Sequence, residues 1–324
     1  PAVGMKRKTM NVDDSEMMHF VNMNDPLSVL SEVKTTVLMI FPTFDFGTVD
    51  LAFSDFILLF SGNYPGYQKC NTRYHDLKHT TDTFMALARL IHGATTTGVN
   101  ITNREVSLAL ISALMHDTGY IQTTDDQTGT GAKYTLSHVE LSIDFMSDYF
   151  NDKGYPREDF IFCRNIVRCT GLDVGLGSIQ FSNPENELLG KMLGTADLKS
   201  QMADRVYLEK LIFLYQEFRE GGVTGYENEL DLLKKTPDFY RVTLKRFEEE
   251  LGGAWRYMRH HFKSRWDLDK DLYKTTIENH IAYLKHILRH HSDNYRDHLR
   301  RGVLIPDVDE LVKIHHQLKT GGAS

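Results

Sequence analysis

Apolar residues recur at a helical period along most of the 324-residue chain, and only eight prolines interrupt it. A backbone with so few breaks folds most simply as packed helices, each burying one apolar face. Between residues 16 and 62 the stretches "VLSEVKTTVLMIF" and "LAFSDFILLF" follow this spacing, separated around Pro42 and closed by the turn "SGNYPGY". From Thr72 to Ile91, Leu77, Phe84, Leu87, Leu90 and Ile91 keep the period, and Gly93 is placed as the C-terminal cap. "TNREVSLALISALMHDTGY" opens with Thr102 and Glu105 at capping-box spacing, runs through a nearly all-apolar segment and stops at Gly119. Ser137 and Glu140 repeat the capping-box spacing and put His138 in the first turn of another helix. "ENELLGKMLGTADLKSQMADRVYLEKLIFLYQEFREGG" reads as one or two long helices closed by Gly221 and Gly222. Within it Gly194, Thr195 and Ala196 permit a close backbone neighbour just before Asp197. After about residue 228, charged and apolar residues alternate at helical period with no linker and no fixed repeat. The expectation is one all-α domain over residues 1–324, a multi-helix bundle with terminal segments packed around its centre.

A hydrophobic content of 41% suffices for a sizeable core. The formal charge of −7, with both signs interspersed, gives no reason to expect nucleic acid as a partner. A small anionic substrate would then need local positive charge, such as metal ions. Cys70, Cys163 and Cys169 form neither a CxxC pair nor an even framework, which argues against a structural zinc cluster and a disulfide scaffold. The first residues, "PAVGMKRKTMNVDD", lack the apolar core of a signal peptide, and no apolar run approaches the roughly 20 residues of a membrane span. A cytoplasmic protein is expected.

Polar residues that interrupt apolar helices carry the functional signal. In "YHDLKHTTD", His75 and His79 are four apart and Asp82 follows three later, one stripe on a helix. Singly, such a histidine is more often a hydrogen-bonded structural residue. In "LMHDTG", His116 and Asp117 end a hydrophobic helix, and a carboxylate left unpaired in the interior costs several kcal/mol, so Asp117 needs a cation or must cap its own helix. His138 at a helix start and Asp197 in "GTADL" complete the set. Imidazole nitrogens and carboxylate oxygens suit zinc, manganese, iron or magnesium according to their ratio, and two of each is common in hydrolytic divalent-metal sites.

These motifs resemble the HD-domain metal-dependent phosphohydrolase superfamily, and more closely the catalytic domains of class I cyclic nucleotide phosphodiesterases. "YHDLKHTTD" matches the YHxxxHxxD pattern, "ALMHD" the defining HD, and "TADL" the distal metal-binding aspartate. Weaker likeness through "LIFLYQEFREGG", "TPDF" and "FEEELGGAW" extends it over about residues 50–265, the expected catalytic core. The resemblance implies His79, His116, Asp117 and Asp197 as ligands of a first divalent ion, Asp117 as a bridge to a second, and His75 as the acid that protonates the leaving oxygen. It implies hydrolysis of a phosphodiester, such as a cyclic nucleotide, by a metal-activated hydroxide. Asp82 or a carboxylate nearby would orient the imidazoles, and His138 would serve the second ion or the water network.

The chain departs from the phosphodiesterase pattern at Tyr120, where those enzymes carry another histidine, so the hydrogen-bond network must differ there. No glutamine precedes "FEEELGGAW" closely, the last being Gln201 and Gln216, so the purine clamp and cyclic-nucleotide specificity do not carry over. Alternatives are a nucleotide phosphomonoesterase and a non-catalytic HD-fold sensor that binds nucleotide or metal. "GTGTGAK" lacks P-loop spacing, and residues 122–133 read as a surface loop, with a lid as the alternative. His286 and His290 share metal-binding spacing in a basic run, as His315 and His316 crowd further on; a solvated outer helix, open to an acidic partner or a second subunit in a homo-oligomer, is the simpler reading.

Overall fold

The computed structural model describes residues 20–172 and 175–299; the His315 and His316 pair lies outside them. Among the described residues the protein is all-α, eleven α-helices with short 3-10 turns, and a lone bridge between Tyr67 and Thr123 takes the place of any sheet. The helices are α1 (Pro26–Leu38), α2 (Gly47–Ser61), α3 (Leu77–Thr96), α4 (Asn103–Met115), α5 (His138–Asp152), α6 (Arg157–Val167), α7 (Pro184–Ala203), α8 (Tyr207–Glu220), α9 (Glu229–Glu249), α10 (Tyr257–Trp266) and α11 (Leu272–His290). One apolar core runs from Val29 to Leu299 through all of them except α9's outer face, with Leu198, Phe247 and Leu251 as a satellite. Among the described residues, no helix is long and apolar enough to cross a membrane.

α3 is the axis of the bundle, packed against α1, α4, α7 and α10. Every residue from 79 to 94 is buried, so it is not the one-faced helix that its apolar spacing suggested. Some of its buried polar side chains reach neighbouring helices: Arg89 donates to the Tyr273 hydroxyl at 2.8 Å, and His92 meets His261 of α10 nitrogen to nitrogen at 3.1 Å. The helix also starts and ends later than its pattern implied. Asp76 caps it by accepting from the His79 amide at 2.8 Å, and the chain continues helically through Gly93 to Thr96. Gly93 has ordinary helical φ; a Cβ there would lie 1.9 Å from the Tyr257 carbonyl oxygen. Glycine at this position therefore serves the α3–α10 crossing and terminates nothing.

Helix α4 begins as its sequence foretells, with the reciprocal Thr102–Glu105 capping box in place. It ends at Met115, and a 3-10 turn over Thr118–Tyr120 redirects the chain. Gly119 in that turn lies so close to α5 that a Cβ would come within 2.0 Å of the His138 carbonyl, while its amide donates to Ser142 Oγ at 2.8 Å. α5 does begin at His138 after Ser137, but Ser137 makes no capping bond, and Glu140 pairs instead with Arg168. The long "ENELLGK" segment divides into α7 and α8 at Asp204, whose extended backbone ends the first helix. Gly194 within α7 admits the Cys169 carbonyl, 2.4 Å from where its Cβ would stand.

Replacing Gly93 by alanine should force α10 away from α3 and cost on the order of a few kcal/mol. Thermal unfolding followed by circular dichroism should fall by several degrees; an unchanged midpoint would show that this crossing yields freely.

Candidate metal centre

Three backbone devices bring the polar residues together. The Asp76 cap sets the first turn of α3 and so His79; the turn after α4 carries His116 and Asp117 inward; the close approach at Gly194 seats α7 and Asp197 against them. The result is a buried cluster at the crossing of α3, α4 and α7. His79 Nε2 lies 3.1 Å from Asp117 Oδ2, 3.2 Å from Asp197 Oδ1 and 3.4 Å from His116 Nε2. His116 Nε2 lies 3.3 Å from Asp117 Oδ2 and 3.7 Å from Asp197 Oδ1. His79, His116 and Asp117 offer ligand atoms all within 4.8 Å of one another, and Asp197 reaches both imidazoles from α7.

These separations fit a divalent cation. Donors at about 2.1 Å from one ion sit about 3.0 Å apart at right angles and about 3.4 Å apart in a tetrahedron. The bonding pattern agrees. His116 Nδ1 donates to the Ala113 carbonyl at 2.8 Å, which leaves the Nε2 lone pair for the cluster. Asp117 Oδ2 is buried 3.1 and 3.3 Å from two imidazole nitrogens, yet it is aligned for a hydrogen bond with neither. A buried carboxylate oxygen left without a hydrogen bond beside two imidazole nitrogens is what a coordination site would use.

Asp117 faces two ways. While Oδ2 belongs to the group above, Oδ1 looks toward His138 Nε2 at 3.8 Å. His138 Nδ1 donates to the Thr135 carbonyl at 2.8 Å, so its Nε2 also presents a lone pair. Burial pushes His138 below its ordinary range, and the neighbouring His75 adds to this against the pull of Asp117, so the ring is neutral at pH 7.

His75 lies outside the helix on which its spacing placed it, in the loop two residues ahead of α3. Glu217 of α8 holds it there: Oε2 accepts from His75 Nδ1 at 2.7 Å, while Oε1 accepts the amides of Arg73 and Tyr74 at 2.8 and 2.6 Å. Asp82 forms an ion pair with Lys78, beside Asp204 and Lys210, and the carboxylate that holds His75 is Glu217. Glu217 stands 142 residues from His75, and only its place in "LIFLYQEFREGG" pointed to it. Gln201 was likewise missed; its amide donates to Asp197 Oδ1 at 2.5 Å and accepts from the Tyr74 hydroxyl at 3.1 Å. Tyr120 lies against both His75 and His138, with ring centroids at 4.3 and 4.6 Å. The loop over residues 122–133 is tied down by Glu220 on Thr130, Asn71 on Gly131 and an Asp126–Lys133 pair, which makes it a fixed wall.

Fold and cluster together define an all-α protein built around a buried centre of two histidines and two carboxylates. The chain belongs to the Npun_R2479-like family, whose model matches residues 44–275 and so takes in every member of that centre. No curated protein matches the chain.

With no cation bound, the imidazoles must neutralise the carboxylates. Burial lowers the pKa of His79, but Asp117 and Asp197 outweigh it and raise the ring to about 9; the same carboxylates hold His116 well above its usual range. A folded-state pKa raised above the unfolded value of about 6.5 gives stability that is complete below pH 6.5 and is lost as pH rises through about 9. Protein treated with chelator should therefore lose thermal stability between pH 6.5 and 9, and saturating Zn(II) should abolish that slope. Asp117→Asn should lower Zn(II) affinity in calorimetric titration by more than the roughly 10–100-fold typical of an outer-sphere change; a smaller loss would remove Asp117 from the ligand set.

Proposed function

We propose that the protein is a metal-dependent phosphohydrolase that cleaves a phosphodiester, with a small nucleotide as the substrate class. The observation that carries this reading is the pair of faces on Asp117, one oxygen grouped with His79, His116 and Asp197, the other turned to His138. A carboxylate so placed suits two adjacent ions, and the sequence motifs resemble those of HD-type hydrolases at the same residues. Two divalent cations held there would supply an activated water and positive charge for the phosphoryl oxygens.

The protein's own contribution is proton delivery and positioning. His75 Nδ1 is committed to Glu217, so Nε2 is the nitrogen left to protonate a departing alkoxide. The Glu217 carboxylate, bound to Nδ1, fixes the ring plane and holds Nε2 toward the open side. His75 and His138 are also the more open imidazoles, 12% and 22% exposed as side chains against 2% and 1% for His79 and His116. Substrate would therefore approach past them, with His79 and His116 at the bottom of the site.

The test is metal-reconstituted protein assayed on cyclic nucleotides, nucleoside monophosphates and an aryl phosphodiester. Hydrolysis of a diester that disappears in Asp117→Asn supports the proposal; turnover of monophosphates alone would make the protein a phosphomonoesterase, and nucleotide binding without turnover under any divalent ion would make it a sensor. His75→Ala should slow alkyl diesters by about 10²–10⁴-fold and spare the aryl ester, whose leaving group needs no proton. Equal losses on both would exclude the acid role, and bound metal content should not change in the variant.

A further inference from the structure

Three of the imidazoles around the centre have their outer nitrogen bound: Nδ1 of His75 to Glu217, of His116 to the Ala113 carbonyl and of His138 to the Thr135 carbonyl. His79 differs. Its Nε2 is turned to Asp117, Asp197 and His116, while Nδ1, on a residue only 3% exposed, is buried with no hydrogen-bond partner among the described residues. One turn further along α3, Asp82 is in the complementary position. Its Oδ2 accepts from Lys78, and its Oδ1 is equally buried and equally without a partner. A donor and an acceptor buried side by side are rarely both left unmet in a folded protein.

Both residues line one small cavity. It measures about 10 Å³, and Tyr74, Gln201, Asp204 and Lys210 complete its wall. Residues three apart on a helix are neighbours on one face, with Cβ atoms about 5–6 Å apart. A gap of that size suits one water molecule held by two hydrogen bonds of about 2.8–3.0 Å. We propose that the cavity is a site for a single structural water, which accepts from His79 Nδ1 and donates to Asp82 Oδ1, and that Asp82 is through it the positioning residue of His79. The inference rests on His79 being a metal ligand, because an ion on Nε2 leaves the imidazole proton on Nδ1. The carboxylate that the sequence pattern set beside the imidazoles thus reaches one of them only across this cavity.

The lining selects water over an ion. Lys210 opposes a cation, Asp82 and Asp204 oppose an anion, and the volume is that of one water and no larger group. Water alone can accept from the imidazole and donate to the carboxylate at once. Ion pairs hold the wall in place: Lys210 donates to both oxygens of Asp76 at 3.1 and 3.2 Å, and Lys78 lies 3.3 Å from Asp204 while it pairs with Asp82. On the other side, the Tyr74 hydroxyl donates to Gln201, whose amide donates to Asp197. The same cavity therefore sits between the support of His79 and the support of Asp197.

Crystals of the Zn(II)-loaded full chain, at a resolution that shows ordered water, should reveal one water within hydrogen-bonding distance of both His79 Nδ1 and Asp82 Oδ1. With Co(II) in place of Zn(II), the N–H protons of ligating imidazoles shift far downfield in the proton NMR spectrum. Asp82→Asn, nearly the same in size, should displace the His79 signal or speed its exchange with solvent, leave that of His116 in place, and lower Zn(II) affinity by about 10–100-fold. The inference fails if the loaded crystals show no water there, if His79 Nδ1 bonds directly to protein, or if the variant leaves signal and affinity unchanged. Equal disturbance of both imidazole signals would reduce Asp82 to a structural residue, and the crystal density decides alone should the variant not fold. A parent chain that binds neither Zn(II) nor Co(II) would instead remove the metal centre, and the positioning role with it, whatever the cavity holds.

Discussion

The burial of one carboxylate group organises this protein. Asp117 is 3% exposed, and an ionised carboxylate in such surroundings is costly unless cations face it. One oxygen meets that requirement against His79 and His116, whose rings the two carboxylates hold protonated in the absence of a metal, and the other turns toward the neutral His138. Each of those histidines comes from a different element, so the aspartate's demand sets where α3, the end of α4 and the start of α5 must meet. Gly119 makes the meeting possible, since any side chain there would drive the His138 backbone away.

The polar content of α3 follows from its position as the axis. A helix enclosed on every side can carry charged groups only with partners brought by its neighbours. Lys78 and Asp82 pair within the helix and share Asp204 and Lys210 from the α7–α8 junction; Arg89 reaches Tyr273 on α11; His92 reaches His261 on α10. Burial raises Asp82 to about 6 against the pull of Lys78, which measures how far this network is removed from water. Replacing such pairs by apolar residues is often neutral for stability, so their value lies in register: each ties α3 to one neighbour at one height. That register places His79 opposite His116 and Asp197.

Sequence reasoning reaches features set by local rules and misses those set by packing. The Thr102–Glu105 capping box and the small-residue approach before Asp197 are legible because the signal and its effect lie within a turn or two, whereas α5 starts at His138 without the Ser137–Glu140 box that pointed to it. The four proposed ligands stand out for a related reason: a charged or imidazole side chain in an apolar helix is anomalous on its own line. Gly93 was misread because a glycine required by a neighbouring helix looks like one required by a helix end. His75 was drawn onto α3 because its spacing from His79 is helical, while the competing Asp76 cap and the Glu217 carboxylate that hold it in a loop lie in a local bond and in a contact across 142 residues. No periodicity reports such contacts.

Tyr120 shows how one substitution in a familiar pattern can be absorbed. Its ring lies nearly parallel to both imidazoles beside it, at 11° to His75 and 21° to His138, and their own centroids are 6.1 Å apart. A third imidazole in its place would add another group able to take a proton, and with it repulsion whenever two rings were charged. The phenol avoids this: burial and the nearby Asp117 and Glu217 carboxylates keep its pKa well above 10, so it stays neutral throughout the range in which the histidines titrate. With Nδ1 of His75 bound to Glu217 and Nδ1 of His138 bound to the Thr135 carbonyl, each imidazole is anchored at its outer edge and stacked on a common neutral ring. The two imidazoles therefore differ in their partners, one bound to a carboxylate and the other to a backbone carbonyl beside Asp117.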